Sequence, residues 1–541
     1  MIKLVELAKL VLKRLVRIPG VVGAYLRICD AMRWTPYYDS AWRHLPGWLE
    51  KAESYIEVKN NCRRERVLFF AYFPELVDYS LAIAVVLIGR HNVDIDFAWI
   101  PHSRHTEGVG SWGNYWKKSA ERLPIRPHRC LHLYNLRDIA PSPVTDEIRD
   151  VCAEQAKKDV SYIVRRERID ILSNSADRQL YEYRQARNLD AITKVAALLQ
   201  QNTYDRVIMA NGAIMEFGAV FRYVSDLGVP VSTFEMWDIA KTIVVARGVP
   251  VMNINTHSLW ENDQPHILSG ERRARIERLN WARSQARGPD VQVAYQPTDG
   301  LAQRAGVIPP NQVRAQLALR SNKPLVLVCP NVPFDSMFYV ERTRNFAAMW
   351  EWLIKTVEFL AQRTDCQVVV RSHPAEVVYK SDETTSNLIR EFFPVLPSHI
   401  TVVPAEAPIN TYAIMQIADL GLVYASTAGL EMAVRGIPVV CGISSQHFNQ
   451  KGFTIDPGSK GEYFSQIDRI LQNPVAFRLT ERQIELAWCY ADVYFNQWPR
   501  AFPWLAGPNF WKDLAEWPLD RMLSDEGNKK YSSVFNILLK A

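Results

Sequence analysis

Short apolar runs and amphipathic stretches alternate along most of this chain. In the first half, 67–74 (VLFFAYFP) and 203–212 (TYDRVIMANG) have the continuous apolar character of buried strands, and a helical pattern follows each. In the second half, the same alternation predicts strands that end near His373, Glu406 and Tyr424. Alternating strands and helices predict parallel sheets with ligands beyond their carboxyl ends, so we expect an α/β fold of the doubly wound type.

The division into domains follows from length and from a change of composition near the middle. At 541 residues the chain is too long for a single hydrophobic core. Residues 261–323 hold an arginine-rich helix and a segment with proline and glycine, which marks a boundary. We predict a helical arm at 1–60, an α/β domain at 61–310, a second at 311–480 and a helical, tryptophan-rich tail at 481–541.

Composition limits the function classes. The chain is 48% hydrophobic and 23% charged, which is typical of a globular protein. Its net charge of +6 fits an anionic ligand or membrane surface but is too small to indicate nucleic-acid binding. The eight cysteines lack zinc-site spacing and predict reduced thiols in a cytoplasmic protein. The sequence shows neither an apolar stretch of about 20 residues, as a membrane span requires, nor the cleavage signature of a signal peptide.

The first 18 residues form a pattern of their own. Apolar residues recur at helical spacing on one side, and lysines and arginines lie elsewhere against the single Glu6. Pro19 and Gly20 would end this helix. A basic amphipathic helix at 1–18 predicts peripheral binding to the anionic inner face of the cytoplasmic membrane. The alternative is a helix that packs on the protein itself and keeps its basic face in solvent.

The strand LGLVY leads into the strongest candidate site. Ser426 is placed to cap a helix through TAGLEMAVRG. A helix N-terminus offers free N–H groups and a partial positive charge, so Ser426 and Thr427 predict a phosphate site. Gly429 would let a ligand approach the backbone closely, and Glu431 could accept hydrogen bonds from ribose hydroxyls. The alternative is an ordinary capped helix with a glutamate in its first turn.

Two further strands end in residues that could reach the same ligand. Arg371, His373 and Pro374 follow the run VVV, and Glu406 follows the run ITVV. Because the carboxyl ends of parallel strands meet at one edge of a sheet, we expect these side chains near Ser426.

Two literal motifs in the first half are disfavoured by their positions. Asp94 and Asp96 match a metal-binding DxD, but they open a strand, which is the wrong end for ligands in a parallel sheet. Residues 108–113 match GxGxxG but follow a polar loop, which favours a flexible loop over a cleft rather than a dinucleotide site. We therefore predict no metal site and no cofactor.

The order of the motifs in the second half resembles a known family. HP after a strand, then S-T-x-G-x-E after another, then R-G-I-P-V-V, is similar to the C-terminal half of GT-B glycosyltransferases of bacterial surface polysaccharides. The resemblance is greatest to the capsule polysaccharide biosynthesis family that includes the β-Kdo transferases. Similar motifs occur in bacterial sialyltransferases and in CDP-glycerol glycerophosphotransferases. The resemblance covers 324–456 well and the N-terminal half loosely.

This resemblance implies two Rossmann-like domains that face a cleft, with the tail crossing back to the first domain. The implied reaction is metal-independent, inverting transfer of a sugar from a nucleotide-sugar to a surface polysaccharide or its lipid-linked precursor. A CMP-sugar such as CMP-Kdo is the favoured donor. The donor residues in the second domain would be His373 at the reacting phosphate, with Arg371, Pro374, Ser426, Thr427 and Gly429 around it and Glu406 or Glu431 at the nucleoside.

The first domain would bind the acceptor. Glu235, or less favoured Asp78, would take the proton of the acceptor hydroxyl. His102, Asn211 and Gly212 are further candidates on the acceptor side. Each of these residues could equally be a solvated or structural side chain.

Two other functions fit the same pattern. One is a GT-B-like sugar-nucleotide epimerase, which needs several acid and base groups around one sugar and no acceptor groove. The other is a non-catalytic scaffold subunit of a polysaccharide assembly complex. Transfer of a labelled sugar separates the transferase from both, and loss of a sugar proton without acceptor indicates the epimerase.

Overall fold

Two sheets rich in parallel strands organise the protein in its computed structural model. The structure describes residues 36–56, 64–100, 128–237, 239, 241–285, 306–320, 322–332, 345–379, 383–443, 447–507 and 509–539.

The strands are β1 Glu65–Ala71, β2 Val93–Trp99, β3 Leu131–Asn135, β4 Arg206–Ala210, β5 Val231–Met236, β6 Thr242–Arg247, β7 Leu325–Cys329, β8 Gln367–Arg371, β9 Ile400–Val403, β10 Leu420–Val423, β11 Val439–Cys441 and β12 Arg500–Ala501. The helices of the first half are α1 Pro36–Glu53, α2 Pro74–His91, α3 Asp146–Val164, α4 Ser175–Gln201, α5 Met215–Asp226, α6 His257–Asn262 and α7 Gly270–Gln285. Those of the second half are α8 Pro310–Gln316, α9 Met349–Ala361, α10 Glu376–Tyr379, α11 Thr385–Phe392, α12 Thr411–Met415, α13 Ala428–Ala433, α14 Lys460–Gln472, α15 Glu481–Asp492, α16 Phe510–Glu516, α17 Leu519–Leu523 and α18 Asp525–Leu539.

Both sheets reverse their strand order at one point, as doubly wound sheets do. The first has the order β12-β6-β5-β4-β1-β2-β3, and β1 to β5 run parallel while β6 and β12 join antiparallel. The second has the order β11-β10-β7-β8-β9, and all of its pairs are parallel. The α/β architecture predicted from the alternating pattern is therefore confirmed. Ligands of such sheets bind where the order reverses, here between β1 and β4 and between β7 and β10.

The core explains why the strands read as continuous apolar runs. Every residue of β4, β7 and β8 is buried, because helices cover both faces of the sheets. The regular C-terminal elements divide between the two sheets. Helix α15 packs in the apolar cluster of the second sheet, whereas the segment 502–539 packs in that of the first.

The tryptophans of the C-terminal part serve this packing. Trp488, Trp498, Trp504 and Trp517 are buried in the two clusters. Strand β12 also pairs with β6, so Arg500 and Ala501 join the edge of the first sheet. These four side chains pack in the apolar clusters, whereas Trp511 is only partly buried.

Candidate functional site

The loop after β8 holds His373 in one defined orientation. Nδ1 of His373 accepts a hydrogen bond from the backbone N–H of Ala375 at 3.2 Å. An acceptor nitrogen carries no proton, so the proton of the neutral ring lies on Nε2. Nε2 makes no hydrogen bond to another residue in the part of the chain that the structure describes. In this tautomer the ring carries its N–H donor on Nε2, in the loop that follows β8.

The charge state of this ring follows from its surroundings. Burial by the protein around it, and then the positive charge of Arg371, lower the pKa of His373 to about 4. At neutral pH the imidazole is therefore neutral and serves as a hydrogen-bond donor, unless a bound anion raises its pKa.

Glu376 is a buried carboxyl two residues beyond Pro374, and the sequence analysis did not select it. It accepts from the Thr385 hydroxyl at 2.6 Å and from the Thr385 backbone N–H at 3.2 Å, which ties the His373 loop to α11. Burial raises its pKa to about 7, and the hydrogen bonds from Thr385 oppose that rise. The sequence signal for Glu376 is the glutamate of H-P-A-E. An acidic residue just after a strand end is also typical of an ordinary helix start, so this signal did not single it out.

Replacing Glu376 with glutamine should flatten one part of the dependence of stability on pH. In the folded wild type the pKa of this carboxyl is about 7, whereas its reference value is 4.5. Its stabilising contribution is therefore complete below pH 4.5 and is lost as the pH rises through about 7. Glutamine keeps an acceptor for Thr385 and has no proton to lose.

Urea unfolding of both proteins across this pH range measures the difference. Histidines with lowered pKa values, such as His373, are present in both proteins and cancel in the comparison. Wild type should lose stability relative to Glu376→Gln as the pH rises, and two parallel curves would contradict the assigned burial of Glu376.

Arg371 positions the loop that follows β9. Its guanidinium is buried and donates to the carbonyls of Pro404 and Ile409, the latter at 3.2 Å, and to the hydroxyl of Thr411 at 3.3 Å. These bonds hold the segment that carries Glu406. The predicted contact of Arg371 with the donor remains a prediction, since its donors face the loop here.

A cavity of about 530 Å³ opens between the β8 and β9 ends and α11. It is lined on one side by Glu376, Pro404 and Glu406 and on the other by Asn387 and Arg390. Its size suits a small organic ligand, and its walls combine apolar surface with a few polar groups. Glu406, predicted to hold a nucleoside, lies on the wall of this cavity, about one strand away from His373.

The reversal point between β7 and β10 carries the Ser426 loop. Asn331, which follows β7, accepts a hydrogen bond from the backbone N–H of Ala425 at 2.9 Å and so joins the loops after β7 and β10. Ser426 Oγ accepts the N–H of Ala428 at 3.3 Å. The helix begins one residue later than predicted, at Ala428, with Thr427 as the capping residue and its hydroxyl not bonded as a cap. Thr427 is partly exposed at this edge.

Two residues of the same motif pack against side chains from other elements of the protein. A side chain at Gly429 would lie 2.9 Å from Phe448 and 3.1 Å from Val423, so close packing accounts for this glycine. Glu431 accepts from the Tyr412 hydroxyl at 2.6 Å, and the space beside it is about 10 Å³, which is too small for a ribose. The geometry therefore favours Glu406 over Glu431 as the nucleoside carboxylate.

Three of the acceptor-side candidates lie at the ends of β4 and β5, namely Asn211, Gly212 and Glu235. Asn211 Nδ2 donates to the Glu235 carboxylate at 3.0 Å, across the ends of β4 and β5. Asn211 and Gly212 both have positive φ, and a side chain at Gly212 would lie 2.7 Å from Thr233. Glu235 remains partly exposed, as a general base must. Asp78 is buried in α2, which makes it a poorer base for a bound substrate.

A buried charge network holds the loop that carries Asn211. Arg184 donates to Asp159 at 3.2 Å and to Glu216 at 2.6 Å, and these three side chains are fully buried. Asp159 also accepts the backbone N–H of Met215 at 2.8 Å, and Met215 has a φ of 48°. Charged residues on α3 and α4 predict solvated faces, so nothing local in the sequence announces this network.

Both carboxylates of the DxD motif pair with arginines. Asp94 pairs with Arg64 at 2.8 Å and the buried Asp96 with Arg66 at 2.7 Å, and Asp96 also lies 2.9 Å from Nδ1 of His132. Among the described residues, no group of His, Cys, Asp and Glu has the arrangement of a metal site, and no helix is long and apolar enough to span a bilayer. His102, the GxGxxG segment 108–113 and residues 1–18 lie outside the described residues.

Comparison with known proteins gives structural likenesses alone. No protein-family model matches the chain, and no curated protein matches it. A β-Kdo 2,7-transferase, KpsC, from Thermosulfurimonas dismutans is 14% identical at a TM-score of 0.31, over 55% of this chain and 79% of that one. A UDP-GlcNAc 2-epimerase from Neisseria meningitidis is 11% identical at a TM-score of 0.26, over 80% and 97%.

A third solved structure is similar to this chain at the same low level. A trehalose 6-phosphate synthase from Burkholderia multivorans is 14% identical at a TM-score of 0.31, over 84% of this chain and 99% of that one. These values are too low to carry an argument about activity. What the geometry establishes is an α/β protein with two doubly wound sheets, each with polar side chains at its point of strand reversal.

Proposed function

We propose that this protein is a metal-independent, inverting glycosyltransferase of the GT-B type. It would move a sugar from a nucleotide-sugar, with a CMP-sugar such as CMP-Kdo favoured, to a bacterial surface polysaccharide or its lipid-linked precursor. The observation that supports this most is the placement of His373 and Glu406 after neighbouring strands, with Glu406 on the wall of a 530 Å³ cavity.

The donor would lie along the carboxyl edge of the second sheet. Its nucleoside would occupy the cavity, where Glu406 is placed to accept ribose hydroxyls and Asn387 and Arg390 face the base or ribose. Its phosphate would lie between His373 Nε2–H and the partly exposed Thr427. Arg371 supports this arrangement through the loop that carries Glu406.

The chemistry required is a single displacement. The acceptor oxygen forms a bond to the anomeric carbon, the bond from that carbon to the phosphate oxygen breaks, and the sugar configuration inverts. Glu235 would take the acceptor proton, and Asn211 would orient the carboxylate through its 3.0 Å hydrogen bond. The negative charge that develops on the leaving phosphate would be stabilised by the His373 N–H and the Ser426–Thr427 loop.

Transfer in excess EDTA tests both the reaction and its independence of metal. We expect a labelled sugar to reach the acceptor at an undiminished rate after chelation, because hydrogen-bond donors rather than a cation stabilise the leaving group. The Asp94 and Asp96 carboxylates are already paired with arginines, which supports this expectation. Activity that disappears with EDTA and returns with magnesium or manganese would contradict it. Loss of a sugar proton to solvent without acceptor would indicate the epimerase instead, and no turnover of any donor would indicate the scaffold.

Binding to the inner face of the cytoplasmic membrane through residues 1–18 belongs to the same proposal. We expect the full chain to sediment with anionic vesicles and a chain lacking 1–18 to remain in solution with unchanged folding. Neutral vesicles are the control. A full chain that ignores anionic vesicles would leave 1–18 as a packing helix.

A further inference from the structure

One short segment of the first domain packs against the proposed donor edge of the second domain. Residues 162–168, which we call the bridging segment, end α3 and contact loops and helices of the second domain at three places. At its start, Tyr162 packs against a small apolar cluster formed by Ala375, two residues after His373, and Val332, which follows β7. The segment thus reaches the carboxyl ends of β7 and β8.

The far end of the bridging segment is fixed by charge-assisted hydrogen bonds. The buried Glu167 carboxylate accepts the backbone N–H groups of Met349 and Trp350, both at 2.9 Å, at the N-terminus of α9. Arg168 donates to Glu383 at 2.6 Å and to both oxygens of Glu391 at 2.8 Å. A forked contact of this kind fixes orientation as well as distance.

Arg165 lies between these two anchors. Its guanidinium stacks over the Tyr162 ring at 4.3 Å, and Tyr162 is the residue that contacts the His373 loop. Its backbone has a φ of 60°, a conformation that costs a non-glycine residue free energy and that the anchors on either side hold in place. The side chain is half-buried, so it has both a fixed position and an accessible face.

We infer that Arg165 is a phosphate-binding residue that the first domain contributes to the donor site. The inference deepens the proposed function and rests on it. The second domain supplies a neutral imidazole and hydroxyls at this edge, and its own Arg371 is turned to the loop after β9. Arg165 would add a positive charge that pairs with a dianionic nucleoside phosphate, and the contacts of the bridging segment hold it beside the second domain.

Replacing Arg165 with glycine tests the inference without straining the backbone. Glycine adopts positive φ readily, so the variant should keep or exceed the wild-type melting temperature. It should bind CMP about ten- to a hundredfold more weakly, the value of one or two charge-assisted contacts, while cytidine binds as it does to wild type. UDP and uridine provide the same pair if the wild type prefers uridine. Arg149→Gln is the matched control, because it removes a charge from an exposed site on the same helix and should change neither affinity.

Each alternative outcome has a distinct meaning. Equal losses for nucleotide and nucleoside would show that Arg165 shapes the site without contacting phosphate, and unchanged affinities would overturn the inference as well. If the glycine variant does not fold, Arg165→Asn, which also tolerates this backbone conformation, gives the same comparison. A wild type that binds none of these compounds would overturn the proposed function itself, and with it this inference.

Discussion

Replacing His373 with alanine should lower sugar transfer at least about tenfold while the protein stays folded. In the proposed site, the Nε2–H donor of the neutral ring would stabilise the charge that develops on the leaving phosphate. A hydrogen bond to a charged group contributes about 1.5–3 kcal/mol, which corresponds to roughly one to two orders of magnitude in rate. Because the pKa of His373 is about 4, the rate should not decline with loss of imidazolium between about pH 6 and 8.

His373→Asn is the informative control for this result. An asparagine oxygen can accept the N–H two residues on, as His373 Nδ1 does from Ala375, so the loop should keep its shape. The shorter side chain cannot place a donor where Nε2 lies, and we expect transfer to fall as it does in the alanine variant. Full activity in a well-folded alanine variant would remove His373 from the mechanism.

Replacing Arg184 with methionine should lower the free energy of unfolding by about 3–5 kcal/mol. The change leaves Asp159 and Glu216 fully buried without the guanidinium that now bonds to both. Remaining partners of these carboxylates, such as the 3.0 Å contact from Arg187 to Glu216, place the expected loss towards the lower value. Denaturant unfolding at neutral pH measures it.

Arg222→Gln is the matched control for the buried network. Arg222 forms an exposed pair with Asp226 four residues along α5, which contributes at most about 0.5 kcal/mol. A similar small loss in both variants would show that the Asp159 network does not stabilise the fold. Because Asp159 also holds Met215 in its positive-φ conformation, we expect the Arg184 variant to lose order in the loop around Asn211 as well.

Patterns that depend on neighbours in sequence predicted the fold well. The apolar runs and the helices between them predicted the strands of the second sheet, because a parallel strand that is buried on both faces must be apolar on both. Strand β3 was not predicted, because Leu131–Asn135 includes a histidine and an asparagine and is only partly buried. Strand β6, which is antiparallel, follows β5 within a few residues and was not predicted as a separate strand.

The site was predictable only to the extent that it lies on strand ends. His373, Ser426 and Glu406 were found because a strand end in a parallel sheet is a known place for ligands. The partners that decide their roles come from distant parts of the chain. Phe448 explains Gly429, and Tyr412 encloses Glu431. The contacts of the bridging segment could not be predicted for the same reason, since R-R-E-R at a helix end resembles any solvated run of charged residues.

Nucleotide binding in excess EDTA tests the central claim most directly. Thermal unfolding of wild type should be followed with CMP, UDP, GDP and CDP and with their sugars, because a ligand that binds only the folded state raises its melting temperature. We predict that the compounds of one base raise it, that Glu406→Gln and His373→Ala each reduce the rise, and that Glu431→Gln does so less than Glu406→Gln. Absence of a rise with every nucleotide, or an undiminished rise in both the Glu406 and His373 variants, would contradict a donor site at the edge of the second sheet.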